Sequence, residues 1–153
     1  MKNKKTIRGF TLIELLVSIS IVAVLTALLT VNFIGARQRG RDGQRKANLY
    51  QLQSSLELYR ADNGKYPPDS ALAACGIPLT SAGGTVYMQE IPCDPSSAGG
   101  PFGYTAAPAS CDNVSVSCLT YTLFGCLENP EDSEKDNPKN ANCTDASFTL
   151  TNP

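Results

Sequence analysis

The sequence predicts an α+β fold, in which one long N-terminal helix packs against a small C-terminal antiparallel β-sheet domain that contains disulfides. Three observations support this prediction. An apolar run covers residues 10–36, and an amphipathic pattern follows in residues 37–63. Residues 64–153 are rich in turn-forming residues and contain short strand-like runs. All six cysteines of the chain lie in this last part.

The apolar run of residues 10–36 is long enough to cross a membrane. As a helix it would measure roughly 40 Å, whereas the hydrocarbon core of a bilayer is about 30 Å thick. A secretory signal fits poorly, because its apolar region has only about 7–15 residues and ends in a small-x-small cleavage site. An ordinary membrane anchor explains the hydropathy but not Glu14, the one ionisable residue of the run. A carboxylate inside an apolar stretch costs about 2.5–3.5 kcal/mol and normally has a partner.

The second half of the helix, residues 37–63, is predicted to pack on the C-terminal domain. Its apolar stripe at helical spacing consists of Leu49, Leu52, Leu56 and Tyr59. Asn63-Gly64 and then Pro67-Pro68 predict the end of the helix.

The C-terminal domain, residues 64–153, is predicted to be a small acidic β domain. Strand-like runs are found at residues 85–88, 102–105, 114–119, 120–124 and 148–150. From Asp62 onward, three basic residues stand against eleven acids. This excess of negative charge argues against a nucleic-acid groove in this part of the chain.

The six cysteines predict disulfides, because an even number beyond a membrane segment is typical of an oxidising compartment. The candidates are Cys75, Cys93, Cys111, Cys118, Cys126 and Cys143. A zinc site is disfavoured, since the chain has no histidine and its closest cysteines have six residues between them. All fifteen pairings remain open at this point.

The run from Lys4 to Val17, KKTIRGFTLIELLV, resembles the prepilin signature of type IV pilins and type II secretion pseudopilins, and the similarity covers about residues 4–30. The resemblance implies the type IV pilin fold. It also implies that a membrane-embedded prepilin peptidase removes the leader, residues 1–9, by cutting between Gly9 and Phe10. The same enzyme would N-methylate the new amine of Phe10. Glu14 would be the acid that this family uses in assembly.

Elementary chemistry agrees with these implied roles. A glycine before the cut lets the backbone extend into a protease cleft without a side-chain clash. When subunits stack with an axial offset, Glu14 of one chain can meet the Phe10 ammonium of another. A carboxylate that is costly alone becomes tolerable in a dry core when it is paired in this way.

Near the start of the second half of the helix lie four arginines, which are Arg37, Arg39, Arg41 and Arg45. A nucleic-acid or lipid-headgroup patch is one interpretation of them. We favour a juxtamembrane anchor that later pairs with acids such as Asp42 or Glu57 of neighbouring stems, because a polar stem must cover its charges in a fibre.

A second resemblance lies in the C-terminal domain. The segments DNGKYP at residues 62–67 and IPCDP at residues 91–95, followed by Gly103-Tyr104, are similar to the globular region of the major pseudopilin and of some pilins with similar domains. The six cysteines depart from the usual pseudopilin, which is cysteine-poor. This departure favours a surface pilus, in which a fibre exposed outside the cell gains from cross-links.

The run of residues 128–137 is a dense acidic loop, and oxygen-rich loops suit calcium. Major pseudopilins that resemble this chain carry a calcium site in their C-terminal loop. The spacing of the acids does not match an EF-hand, and a solvated loop without metal is the alternative. The expected ligands are Glu131, Asp132, Glu134 and Asp136. No other cofactor is expected.

The resemblance therefore implies a structural filament subunit, and together with the cysteines it favours the major pilin of a type IV pilus-like filament that serves adhesion, twitching motility or DNA uptake. A minor or tip pilin is an alternative within the same class. One alternative is the major pseudopilin of a periplasmic type II secretion pseudopilus, and a monomeric single-span membrane protein is the alternative from a different class. The implied partners are further copies of the chain, the peptidase, and an inner-membrane assembly platform with its ATPase. The precursor would lie in the inner membrane and the filament on the cell surface. No enzyme is expected, because the chain has no histidine, phosphate loop or nucleophile–base pair.

Overall fold

The computed structural model describes residues 9–96 and 99–152, and the side chains of residues 29–32 are not among those described. The predicted leader, residues 1–9, therefore lies outside the described residues except for Gly9. The chain divides into two units, Met1–Arg37 and Gln38–Pro153.

One helix, α1, runs over Leu12–Asn63. In the first unit it exposes apolar side chains on every face, as Ile13, Leu16 and Val24 illustrate. Its hydroxyl side chains are satisfied within the helix, since Ser18 donates to the Glu14 carbonyl at 2.7 Å and corresponding bonds follow one turn back at other positions. A helix that is apolar all round suits an environment of lipid or of other helices.

Among the described residues, no single helix is long and apolar enough to qualify as a membrane span. Within α1, the stretches Leu12–Leu28 and Phe33–Asn63 pass the test for a membrane span, by length and composition, only when they are counted together across residues 29–32. The transmembrane role of residues 10–36 therefore stays a prediction.

In the second unit, the helix buries the predicted apolar stripe. Leu49, Leu52 and Leu56 are completely inaccessible to solvent, and Tyr59 is buried as well. The helix ends at Asn63, as expected, and Gly64 follows with a φ of 70°. The Gly64 N–H donates to the Arg60 carbonyl at 2.7 Å, which is the left-handed termination that glycine adopts without strain.

Two antiparallel sheets complete the second unit, after a short 3-10 helix at Asp69–Leu72. The first is a hairpin of β1 (Leu79–Thr80) and β2 (Val86–Met88). The second contains β3 (Gly103–Ala107), β4 (Thr120–Leu127) and β5 (Ala146–Thr151) in the order β3-β4-β5. Tyr121, Leu123 and Leu127 of the central strand face the helix stripe and are buried with it in one core. The predicted α+β fold is confirmed.

The strand expected at residues 114–119 is wrong. These residues form a tight loop, in which the Asp112 carboxylate accepts hydrogen bonds from the backbone N–H groups of Val114, Ser115 and Val116 at 2.7–3.1 Å. A side chain that binds successive backbone amides competes with a strand ladder, and the loop is the result.

The six cysteines form three disulfides, which confirms the prediction and selects one pairing. Cys75–Cys93 joins the segment after the 3-10 helix to the loop after β2, and Cys111–Cys118 closes the loop between β3 and β4. Cys126–Cys143 joins the end of β4 to the segment before β5, so it closes the acidic loop at its base.

Candidate functional sites on the long helix

The first candidate site is the N-terminal turn of α1, where Glu14 lies. Its Oε2 accepts hydrogen bonds from the backbone N–H of Thr11 at 3.0 Å and from the Thr11 hydroxyl at 2.7 Å. The Glu14 N–H donates in return to the Thr11 hydroxyl at 3.3 Å. This reciprocal arrangement is a capping box, which satisfies donors that the first helical turn leaves without partners. Glu14 therefore has a partner within its own chain.

Thr11 was not among the site residues predicted from the sequence. The pattern Thr-x-x-Glu before an apolar run is a capping-box signature, so the signal for this residue was present in the sequence. The capping box also lowers the cost of placing a carboxylate near apolar surroundings, because buried charges are tolerated only when they are hydrogen-bonded.

Gly9 and Phe10 precede this turn and are exposed. The Phe10 side chain is 81% accessible to solvent, and a Cβ added at Gly9 would meet no atom within 4 Å. No contact with the described residues therefore requires glycine at position 9. Beside Glu14 lies a shallow depression of about 400 Å³ that Phe10, Ile13, Val17 and Ser18 also line.

The second candidate site is a set of charged side chains that joins the helix to two loops, which we call the loop–helix charge cluster. Its members are Arg41, Asp42, Arg45, Lys46, Asp94, Glu128, Asp132 and Glu134.

Arg45 lies at the centre of this cluster, and its side chain is only 3% exposed. The guanidinium donates to Asp42 Oδ1 at 2.6 Å and to Glu128 Oε1 at 2.7 Å. It also donates to both oxygens of Asp94, at 2.8 and 3.0 Å. The planar fork of donors on arginine matches carboxylates in this way, so one side chain fastens two loops to the helix.

Asp42 and Arg41 complete the attachment of the loop that follows β4. Asp42 is buried, and its carboxylate accepts hydrogen bonds from the backbone N–H groups of Glu128 at 3.0 Å and Asn129 at 2.8 Å. Arg41 donates to both carboxylate oxygens of Glu128. The hydrogen bonds from Arg41, together with the one from Arg45, lower the pKa of Glu128 to about 2 although partial burial opposes the shift.

Lys46 holds the acidic loop itself. Its Nζ lies 2.5 Å from Asp132 Oδ1 and 2.8 Å from Glu134 Oε2. The hydrogen bond from Lys46 lowers the pKa of Asp132. Burial would lower the pKa of Lys46, but the two carboxylates outweigh it and raise that pKa.

The four predicted calcium ligands are therefore divided among different roles. Asp132 and Glu134 bind Lys46, whereas Asp136 accepts hydrogen bonds from the Ser147 and Thr149 hydroxyls and from the Thr149 N–H, at 2.5–3.1 Å. Glu131 is exposed, and its side chain has no ion pair among the described residues. In the part of the chain that the structure describes, no group of three or more His, Cys, Asp or Glu residues is placed to hold a metal ion. Calcium binding stays a prediction.

The expected inter-stem partners of the arginines are also engaged within their own chain. Asp42 is internal to the cluster, and Glu57 accepts hydrogen bonds from the Tyr66 hydroxyl at 2.9 Å and the Tyr121 hydroxyl at 3.1 Å. Arg41 and Arg45, predicted as anchor residues, likewise form their ion pairs within the second unit. Arg37 stacks over the ring of Phe33 within the first unit, at 5.8 Å from its centroid.

Comparison with known proteins gives a family match and several relatives. Residues 4–30 match the model described as the prokaryotic N-terminal methylation motif. The chain is 41% identical over 83 residues to the type IV wide pilus major component PilA4 of Thermus thermophilus. This match covers 54% of this chain and 61% of that protein. It is 31% identical over 97 residues to the type II secretion system core protein G of Klebsiella pneumoniae, which covers 58% of this chain and 68% of that one. The corresponding values for core protein G of Aeromonas hydrophila are 30% over 102 residues, with 61% and 70% covered.

These matches do not extend over whole proteins. The chain spans less than two thirds of the length of the Thermus relative. No solved structure matches the chain.

Proposed function

Because the chain belongs to the family of type IV pilins and type II secretion pseudopilins, we propose that it is the major structural subunit of a type IV pilus-like filament on the bacterial surface. The first unit of α1 would anchor the precursor in the inner membrane and would then enter the filament core. Such a filament would function in adhesion, twitching motility or DNA uptake.

The observation that carries this proposal is the apolar surface of α1 between Leu12 and Leu28, which is exposed on every face. Burying each large aliphatic side chain is worth about 1.5–3 kcal/mol, so this surface has a strong tendency to be covered. Lipid covers it in the precursor, and copies of the same helix cover it in a filament. A monomeric single-span protein would need only the lipid.

Assembly would use Glu14 and the new N-terminus. Prepilin peptidase would cut between Gly9 and Phe10 and methylate the Phe10 amine, which keeps its positive charge. Glu14 would then exchange part of its hydrogen bonding to Thr11 for an ion pair with the Phe10 ammonium of a neighbouring copy. The depression beside Glu14 gives a neighbouring chain access to the carboxylate.

The test is to shear cells that express the chain, image the supernatant, and measure the intact mass of the chain in the sheared fraction. We expect long fibres whose subunit has lost residues 1–9 and gained one methyl group. Glu14→Leu should leave the chain processed and membrane-bound but absent from fibres. Ser18→Ala is the matched control, because Ser18 lines the same depression and its hydroxyl is bonded only within its own helix. A normal fibre yield from Glu14→Leu, or a mature chain that begins at Met1, would refute the proposal.

The major pseudopilin of a type II secretion system is the second candidate function. It is favoured by the relatives named core protein G, whose matches cover 68% and 70% of their own lengths. The three disulfides favour the surface pilus instead, since a fibre outside the cell gains from covalent cross-links. Loss of protein secretion after deletion of the gene, with no fibre in the sheared fraction of wild-type cells, would identify the pseudopilin.

Calcium binding by the acidic loop is a separate proposal. Calcium would have to compete with the Lys46 ammonium for Asp132 and Glu134, so we expect weak binding by the wild-type chain. Lys46→Met removes this competing ammonium. We therefore expect calorimetry on the full chain in detergent to measure tighter calcium binding by this variant than by the wild-type chain. The absence of a calcium response in both proteins would remove this proposal.

A further inference from the structure

We propose that Arg39 of one copy pairs with the exposed acids of the acidic loop, Glu134 and Glu131, of the neighbouring copy. This inference rests on the proposed function, because it concerns copies that are packed in a filament. It names a contact between second units, separate from the Glu14 contact at the head of the helix.

The charge of Arg39 has no partner in the part of the chain that the structure describes. Arg39 is exposed, and among the described residues it forms no ion pair and no side-chain hydrogen bond. Arg41 and Arg45, in contrast, are bound to Glu128 and its neighbours. A guanidinium that becomes desolvated between two packed copies is costly unless a carboxylate of the partner meets it.

The loop–helix charge cluster has an excess of negative charge, which is complementary to the positive charge of Arg39. It contains five carboxylates and three cations, so it keeps a net charge of −2. Its most accessible carboxylate is that of Glu134, whose side chain is 58% exposed. Only Oε2 of Glu134 binds Lys46, and Oε1 accepts no hydrogen bond from any described residue. Glu131, three residues earlier in the same loop, adds a further exposed carboxylate that has no ion pair among the described residues.

The positions along the helix agree with this pairing. Arg39 and Lys46 are seven residues apart, so they lie on the same side of the helix two turns apart. Gly40 and Gly43 lie between them along the sequence.

The surface at that level is open. Gly40 and Gly43 are exposed, and a Cβ added at either position would meet no atom within 4 Å. A side chain from a neighbouring copy can therefore cross this part of the helix to reach the carboxylates that Lys46 holds. Arginine suits such a site, because its fork can bind one carboxylate with two donors.

The experiment compares the sheared filament yield of full-length variants, with the processed chain in the membrane fraction measured as a control for expression. Arg39→Glu places a carboxylate against carboxylates, and we expect a loss of about tenfold or more in filament yield at an unchanged amount of processed chain. Adding Glu131→Arg to Arg39→Glu reverses both charges and should restore the yield to within about twofold of wild type.

Two matched controls test the location. Gln44→Glu also places a carboxylate on an exposed helical position, away from Arg39 and with a change of one charge instead of two, and it should leave the yield unchanged. Asp145→Arg reverses an exposed acid without a salt bridge among the described residues, outside the loop, and it should not rescue Arg39→Glu. Rescue by Asp145→Arg as complete as that by Glu131→Arg would overturn the inference, because it would show that only net charge matters.

The remaining outcomes separate this inference from the proposed function. Wild-type filaments together with an equal yield from Arg39→Glu would overturn the pairing and leave the filament standing. If such filaments also dissolved in EDTA and reformed with calcium, the cation of the loop would be a metal ion rather than Arg39. The absence of filaments from wild-type cells would overturn the proposed function and this inference together.

Discussion

Replacing Arg45 by methionine should destabilise the second unit strongly, because Arg45 is the centre of a buried charge cluster. The substitution keeps the aliphatic stem and removes four hydrogen bonds to three carboxylates. Asp42, whose side chain is 1% exposed, is then left as a buried charge without its cation. Removing one partner of a buried ion pair typically costs 3–5 kcal/mol, so we expect a loss of about 4 kcal/mol in the free energy of unfolding.

Urea unfolding of the full chain in detergent measures this loss. All six tyrosines lie in the second unit, and the chain has no tryptophan, so near-ultraviolet circular dichroism reports on that unit. With a typical slope of about 2 kcal/mol per molar urea, a loss of 4 kcal/mol lowers the midpoint by about 2 M.

Two further variants make the result decisive. Arg39→Met removes an exposed arginine six residues away, and it should change the stability by less than about 0.5 kcal/mol. Asp42→Asn combined with Arg45→Met also removes the buried charge of Asp42. We expect the double variant to lose less free energy of unfolding than the sum of the losses in the two single variants. A midpoint for Arg45→Met within about 0.3 M of that for Arg39→Met would refute the reasoning, because it would show that the cluster does not fix the loops.

Three further predictions concern other parts of the chain. The pKa of Glu128 is lowered from 4.5 to about 2, so its contribution to stability is complete above about pH 4.5 and is lost as the pH falls towards 2, which acid titration of the near-ultraviolet signal checks. Gly103→Ala should cost about 1–3 kcal/mol in the urea assay, because the new Cβ would lie 2.2 Å from the Phe124 ring, whereas Gly83→Ala, which meets only one atom at 3.8 Å, should not. Thr11→Val removes the capping hydroxyl, costs about 1 kcal/mol, and should speed amide exchange in the first helical turn about fivefold.

The long helix was predictable because its signals are local. The spacing of Leu49, Leu52 and Leu56 follows the helical period, and these three residues form the buried face. Asn63-Gly64 marked the end, since glycine alone adopts the left-handed termination at no cost. The apolar first part was equally clear, because it carries one charge between Phe10 and Ala36.

The features that the sequence did not predict depend on contacts between distant residues or on competition between local structures. Val114 to Leu119 has the composition of a strand, but Asp112 binds its amides and the Cys111–Cys118 disulfide closes the loop. The disulfide pairing itself was open, because fifteen pairings share one sequence and only the fold brings the sulfurs together. The ligands of Arg45 lie 49 and 83 residues away along the chain, and no local pattern connects them.

The apolar stripe nevertheless contains the information that separates the arginines. Continued towards the N-terminus in steps of three and four, the series 56, 52, 49 reaches 45 and then 42, which places Arg45 and Asp42 on the buried face of the helix. A charged pair at three-residue spacing on a face that must be buried predicts an internal ion pair, and the structure has that pair at 2.6 Å. Arg41 lies one turn before Arg45 and binds the same Glu128. With its alternating steps of four and three, the series next reaches Gln38, which is half-buried, and passes over Arg39, which is exposed. The periodicity that buries Arg45 is thus the same one that leaves Arg39 outside the chain, where a second copy can bind it.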